Sequence, residues 1–309
     1  MTVVNFEKLS KDSGLLLCDE RVSFDYPPRV YDIAKKIYPL KDACFIGISG
    51  SPSDFQEVYR SAQKRINRLN IGSNEEMEQV LKDSYMEAKD RTLQERVLSP
   101  YRLTWTDFHR RELSEQIRER IIRKLERPEQ HDWSVQAVVG GYVGHDDFSV
   151  YYLNYPGTVR HEDYYATTGS GYDRADLVFG DRIQEMSRQK KENIPLVEGV
   201  RIIFDATRSA WRNVGVGGLG QFYYINRAFG DQVSQQVREY APPEIRLLHN
   251  VLYLEKRKIL DEKFVNEIIE EVVEKNEKAQ DIIPKIKNNV EKNIGKEALT
   301  DELFNTLHL

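Results

Sequence analysis

Short runs in which almost every position is apolar mark the first fifty residues. Val3, Val4 and Phe6 precede a polar turn, Ser10-Lys11-Asp12-Ser13-Gly14, and Leu15 to Cys18 follow it. Two such runs joined by a Gly-containing loop predict a β-hairpin that anchors the N-terminus in a sheet. Lys36 to Leu40 and Ala43 to Ile48, bounded by Lys41-Asp42, predict a second pair. Short, close runs rich in β-formers favour antiparallel pairing over βαβ units. At Ser49-Gly50-Ser51-Pro52 the period changes. Ser51 reads as an N-cap with Pro52 at the first helical position, and Phe55, Val58, Tyr59, Ala62, Ile66 and Leu69 follow at helical spacing. A second helix starts at Ser73, boxed with Glu76, and continues through Met77, Val80, Leu81, Tyr85 and Ala88. Both helices are expected to lie across a sheet face.

From about 91 to 128 the pattern is broken by Ser99-Pro100. Ile117, Ile121, Ile122 and Leu125 make one apolar seam on a highly charged helix, which predicts a solvated helix or, alternatively, a partner-facing arm. Strands resume at Val135 to Val139, Phe148 to Leu153, Thr158-Val159 and Tyr164 to Thr167, read together as a second, meandering sheet. Helical period returns through Ala175, Val178, Phe179, Ile183 and Met186, and again from Pro195 to Trp211, before a last strand at Gln221 to Ile225. Strands and helices segregated in this order predict an α+β fold, a four-layer αββα sandwich of two stacked antiparallel sheets flanked by helices. Ala241-Pro242-Pro243 marks the expected end of that unit, giving a domain over 1–240 and a charged helical extension of two or three helices over 241–309.

Composition narrows the functional classes. The 309 residues carry a net charge of −5 and 31% charged residues, so no basic surplus points to nucleic acid. No apolar run approaches the roughly 18 residues of a membrane span. Asn5, Glu7, Lys8, Lys11 and Asp12 interrupt the start before a signal peptide could form. Cys18 and Cys44 each sit inside an apolar run and read as buried, reduced thiols of a cytoplasmic protein. Gly215, Gly217 and Gly220 match a dinucleotide-type glycine pattern, but they follow a helix and enter a strand, the reverse of the phosphate-cradling context. His109, His131, His145, His161, His249 and His308 show no ligand spacing, so neither a metal nor another cofactor is expected.

The chemistry starts at Thr2. If Met1 is removed, one residue carries both a hydroxyl nucleophile and an α-amine of pKa about 7.7–8.0 that can accept its proton. With Thr2, Leu16-Leu17-Cys18-Asp19, Lys36-Ile37-Tyr38, Ile48-Ser49-Gly50-Ser51 and Thr168-Gly169-Ser170-Gly171 in this order, the chain resembles the β-type subunits of proteasomes and their bacterial heat-shock protease relatives, the N-terminal-nucleophile hydrolases. The similarity covers roughly residues 2–226 with 91–128 as an insertion. It implies that Thr2 is the nucleophile, that Lys36 lowers the pKa of its amine and hydroxyl, and that Asp19 keeps the lysine charged and oriented. Gly50 would supply an oxyanion-binding N–H, and Ser170 would position the amine or simply cap the next helix.

One segment departs from the family. Where it has an aspartate and, three residues on, a serine or threonine, this chain has Asn213 and Val216. Asn213 is expected to accept the Ser170 hydroxyl without bringing a charge. The resemblance implies a threonine endopeptidase acting on peptides or unfolded proteins through an acyl-Thr2 ester, in a homo-oligomeric ring served by an ATP-dependent unfoldase or gating ring. A peptide ligase or transpeptidase using the same ester, and a non-catalytic structural subunit, are the alternatives. Ile48 and the start of the first helix are expected to shape an apolar pocket for the substrate residue before the scissile bond.

Overall fold

The computed structural model describes residues 2–294, except 26–27, 32–34, 70, 127–132, 134, 143–146, 155–156, 214–215 and 233–234. His131, His145, Gly215 and His308, and the apolar pair Leu303-Phe304 near the end of the expected helical extension, fall outside these residues.

Strand β1 (Val4–Ser10) and β2 (Ser13–Cys18) form the first hairpin, pairing Val4 with Cys18 and Phe6 with Leu16. A small hairpin that no apolar run announced, β3 (Val22–Asp25) and β4 (Pro28–Tyr31), follows it. Then come β5 (Ile37–Lys41) and β6 (Cys44–Gly50), turned at Asp42 with φ 43°. The two hairpins belong to different sheets. One sheet runs β5-β6-β7-β8-β9, with β7 (Val135–Tyr142), β8 (Phe148–Asn154) and β9 (Thr158–Glu162). The other runs β10-β1-β2-β11-β12, with β10 (Tyr165–Thr168), β11 (Phe222–Asn226) and β12 (Val237–Tyr240). The chain therefore leaves the meander after β9 and crosses to pair β10 with β1, Val4 opposite Thr168. Periodicity did not separate β10 from the meander, because a crossing strand has the same apolar pattern as one that stays.

Each sheet is buried on both faces, which is why its strands read as unbroken apolar runs. Along β2, Leu15 and Leu17 face one core while Leu16 and Cys18 face another. The inner core holds Val4, Phe6, Phe45, Val138 and Phe148 between the sheets; a Cβ at Gly140 would sit 2.7 Å from the Phe6 ring, and one at Gly47 would sit 2.4 Å from Val4 Cγ1. Helices α1 (Pro52–Arg68) and α2 (Asn74–Leu93) cover the second sheet through Phe55, Val58, Met77, Leu81 and Tyr85. The Ser51 hydroxyl accepts from the Asp54 N–H, and the Ser73 hydroxyl from the Glu76 N–H, so both N-caps form where expected. Glu76 returns its carboxylate to the Gly72 N–H, one residue earlier than a strict capping box requires. On the first sheet lie α5 (Tyr172–Gln184) and α7 (Leu196–Ala210), with the short α6 (Arg188–Glu192) between them. The result is a four-layer αββα sandwich.

Past β12, α8 (Pro242–Lys256) begins at the Pro242-Pro243 pair, which occupies the first helical turn, where proline is tolerated. With α9 (Glu262–Ile269), extended by one wide turn to Glu274, and α10 (Ala279–Ile294), it buries Leu248, Val251, Phe264, Ile268 and Ile286 in the same core that holds α5 and α7. Residues 94–126 carry α3 (Trp105–Arg110) and α4 (Glu115–Glu126) around a small cluster of their own: Leu93, Val97, Leu98, Leu103, Phe108 and Ile121. Of the four seam residues only Ile121 is fully buried. Ile117 and Ile122 are more than a third exposed, so the seam is narrower than the pattern suggested.

Candidate active site

The start of β1 brings the sequence-predicted residues together. The carboxylate of Asp19, just past β2, is fully buried; its Oδ1 accepts from the Val3 N–H at 2.7 Å and from Lys36 Nζ at 2.6 Å. Lys36 is itself almost completely buried and gives a second bond at 2.6 Å to the Arg21 carbonyl. The Gly217 N–H approaches Asp19 Oδ2 at 3.4 Å. Burial pushes the Asp19 carboxyl above its usual range, and the Lys36 ammonium, together with the Val3 and Gly217 amides, holds it back. The Lys36 ammonium is thus joined to the backbone beside Thr2 through the one Asp19 oxygen that also takes the Val3 N–H.

Thr2 is held from the other side by the turn after β10. Its nitrogen donates to Ser170 Oγ at 3.0 Å, and its carbonyl accepts from the Gly171 N–H at 3.1 Å. Gly169 has φ 103°, and a Cβ there would sit 2.1 Å from the Thr2 carbonyl oxygen, so the turn tolerates only glycine at this point. Gly171, not Ser170, is the N-cap of α5, which leaves the Ser170 hydroxyl to the Thr2 nitrogen. Asn213 does not take the expected role. Its Nδ2 donates to the Ser170 carbonyl at 2.6 Å, and its Oδ1 accepts from Arg174 Nε at 3.3 Å. The amide braces the backbone of the turn and leaves the serine hydroxyl alone. Val216, at the other departure, is buried in the outer core.

Gly50 ends β6 opposite Val135, exposed and with φ 100°, immediately before the Ser51 cap of α1. It is tied to the Thr2 region through its neighbour: Ser49 Oγ and Thr168 Oγ1 lie 2.9 Å apart, and Thr168 pairs with Val4 in register. Ile48 lies two residues before Gly50 on β6. It is buried in the core under α1 and α2, because the side of β6 it occupies faces the helices. The cavity flanking the Gly169-Ser170 turn, about 530 Å³, is lined by polar and aromatic groups, among them Gln136, Thr167, Tyr172 and Asp176.

Several contributors had no sequence signal. Gln221 Oε1 accepts from the Lys36 and Ile37 amides at 2.7 and 2.9 Å, and its Nε2 donates to the Ile37 carbonyl, pinning the start of β5 to the first sheet. Gly217 belongs to the glycine run that its place between a helix and a strand had set aside as a phosphate-binding motif. Cys18 and Cys44 are buried free thiols, both pushed up to about 12 by burial. Among the described residues no group of three or more His, Cys, Asp and Glu side chains is placed to hold a metal ion, and no helix is long and apolar enough to cross a membrane.

The site joins a threonine just ahead of the first strand to a buried Asp19–Lys36 pair. Residues 9–106, about a third of the chain, match the family model described as proteasome subunit. A solved mutant of Anbu from Hyphomicrobium sp. strain MC1 superposes with a TM-score of 0.53 at 12% identity, covering 84% of this chain and 96% of that one. No curated protein matches the sequence. The chain is thus similar to proteasome subunits over residues 9–106 and shares its fold with Anbu.

Proposed function

We propose that the chain is a threonine endopeptidase whose nucleophile is Thr2 after removal of Met1. The observation that carries the reading is the double tether of residues 2 and 3: Thr2 N on Ser170 Oγ, and Val3 N with Lys36 Nζ on one oxygen of Asp19. Freed of Met1, the Thr2 nitrogen is an amine already held at the serine hydroxyl. In the proposed reaction the Thr2 hydroxyl attacks the peptide carbonyl and its proton passes to the amine, while the Gly50 N–H receives the oxyanion. The amine then protonates the leaving nitrogen as the C–N bond breaks, and water attacks the resulting ester through the same base, restoring Thr2. Lys36 stabilises the negative charge that builds on the threonine oxygen, Asp19 fixes Lys36, and Asn213 braces the turn that presents Ser170.

The substrates in this reading are peptides or unfolded protein chains, and the working form is a homo-oligomeric ring in the cytoplasm with an ATP-dependent unfoldase or gating ring. Intact-mass measurement after treatment with an epoxyketone or β-lactone probe tests the central claim. The expected product is a chain beginning at Thr2 with one probe adduct. Active protein that retains Met1, or an active chain that takes no adduct, would overturn it. A ligase using the same ester would join peptides where the peptidase cleaves them, so product analysis with added amine acceptors separates the two.

A further inference from the structure

The outer helix layer holds a second cavity, far along the chain from Thr2. About 550 Å³ lies between α5, the C-terminal half of α7 and the end of α8. Arg182, Arg208, Arg212 and Lys256 face it together with Asp181 and Asp205, four cations against two carboxylates in a protein of net charge −5. Asp205 is already engaged, by Lys256 Nζ at 2.5 Å and by Arg182 Nη2 at 3.7 Å. The Arg208 guanidinium lies over the Tyr253 ring, 5.6 Å from its centroid, and its Nη1 is buried with no hydrogen-bond partner among the described residues. In the adjoining seam between α7 and α8 the rings of Trp211 and His249 lie 5.0 Å apart. Trp211 Nε1 and His249 Nε2 are likewise buried without partners among the described residues.

Arg208 and Lys256 stand in the last turns of their helices, where the macrodipole favours cations, and that alone explains a local surplus of charge. It does not explain the buried Arg208 Nη1 and Trp211 Nε1, donors with no acceptor among the described residues, each of which forfeits its hydration on folding. An anion seated in the cavity would offer an acceptor to Arg208, which lines it, and offset the charge. Arginine forks match the oxygens of a phosphate two at a time. The space is of the size that small-ligand sites occupy, and larger than a bare phosphate needs.

We propose that this cavity binds a phosphate monoester, its phosphate held by Arg208 and Arg212 and its organic group filling the space towards α5. Calorimetric titration of the intact protein with phenyl phosphate at fixed ionic strength tests it. The expected result is one site per chain with Kd below about 1 mM. Arg208→Gln and Arg212→Gln should each weaken it at least tenfold, about 1.4 kcal/mol. Arg60→Gln, an exposed helix position paired with Glu57, should leave it unchanged. Arg212 is exposed, so its variant keeps the test meaningful even where Arg208→Gln unfolds. No saturable binding, or equal affinity in Arg212→Gln and wild type, would overturn the proposal. So would binding of heparin without phenyl phosphate, since that pattern belongs to a polyanionic macromolecule.

Discussion

A single oxygen of Asp19 receives both the Val3 amide, at 2.7 Å, and the Lys36 ammonium, at 2.6 Å. The carboxylate thus fixes the backbone next to Thr2 and the nearby cation with one atom, and the two cannot shift independently. Removing one member of a buried pair strands the other charge, so Asp19→Ala is expected to cost about 3–5 kcal/mol of stability. Replacing both by apolar groups, Asp19→Leu with Lys36→Met, should cost less than Asp19→Ala alone. Denaturant titration of the three proteins reads the difference, and peptide hydrolysis should be lost in all of them.

Thr2→Ala leaves the sandwich intact because residue 2 contributes its backbone, through the Ser170 and Gly171 bonds, more than its side chain. Its melting temperature should match the parent while probe labelling disappears. Thr2→Ser keeps the hydroxyl and should label, more slowly or faster but measurably. A Thr2→Ala protein that still takes the adduct would move the nucleophile elsewhere.

At Gly169 the φ of 103° and the 2.1 Å approach to the Thr2 carbonyl act together. Gly169→Ala should destabilise by at least the roughly 1–3 kcal/mol of a strained backbone position and should displace the chain's first residues. The check is thermal unfolding paired with probe labelling, both of which should fall.

Asn213→Ala removes one hydrogen bond from the Ser170 carbonyl and should cost about 0.5–1.5 kcal/mol. Because the lost bond holds the turn, the larger effect should be on kcat. Equal activity in this variant would show that the turn's other bonds, such as that from the Gly171 N–H to the Thr2 carbonyl, suffice to hold Ser170.

Glu7 is fully buried on β1, and among the described residues neither carboxylate oxygen has a hydrogen-bond partner. Burial, aided by repulsion from Glu198, raises its pKa well above the ordinary 4.5. The folded state therefore holds the proton more tightly than the unfolded chain. The stability this contributes is full below pH 4.5 and is lost as pH rises towards the folded-state value. Glu7→Met should remove that loss, so its melting temperature should exceed the parent's at neutral pH and the gap should narrow on acidification. A constant gap across pH would mean that Glu7 is not the group responsible.

Much of the architecture was legible from periodicity. Doubly buried strands appear as solid apolar runs, the α1 and α2 caps as Ser51-Pro52 and Ser73, and the segregation of strands and helices as four layers. Thr2, Asp19, Lys36, Gly50, Ser170 and Asn213 were all named from short motifs. The surroundings of Ile48 were not legible, because an apolar residue near the end of a strand looks the same whether it faces a cleft or a core. The partner of Asn213 was misassigned because an amide can donate as well as accept, and its neighbours decide which.

What the chain settled by itself was the alternation that buries both faces of each strand, since that depends only on neighbours along the backbone. What only the folded molecule decided was which sheet β10 joins, and which groups meet at Thr2. Part of that depends on contacts between positions 160 or more residues apart, such as Ser170 with Thr2 and Gly217 with Asp19. Local propensity carries no record of such pairs, because closing loops of that length is driven by the burial of whole sheets and not by the residues that end up touching.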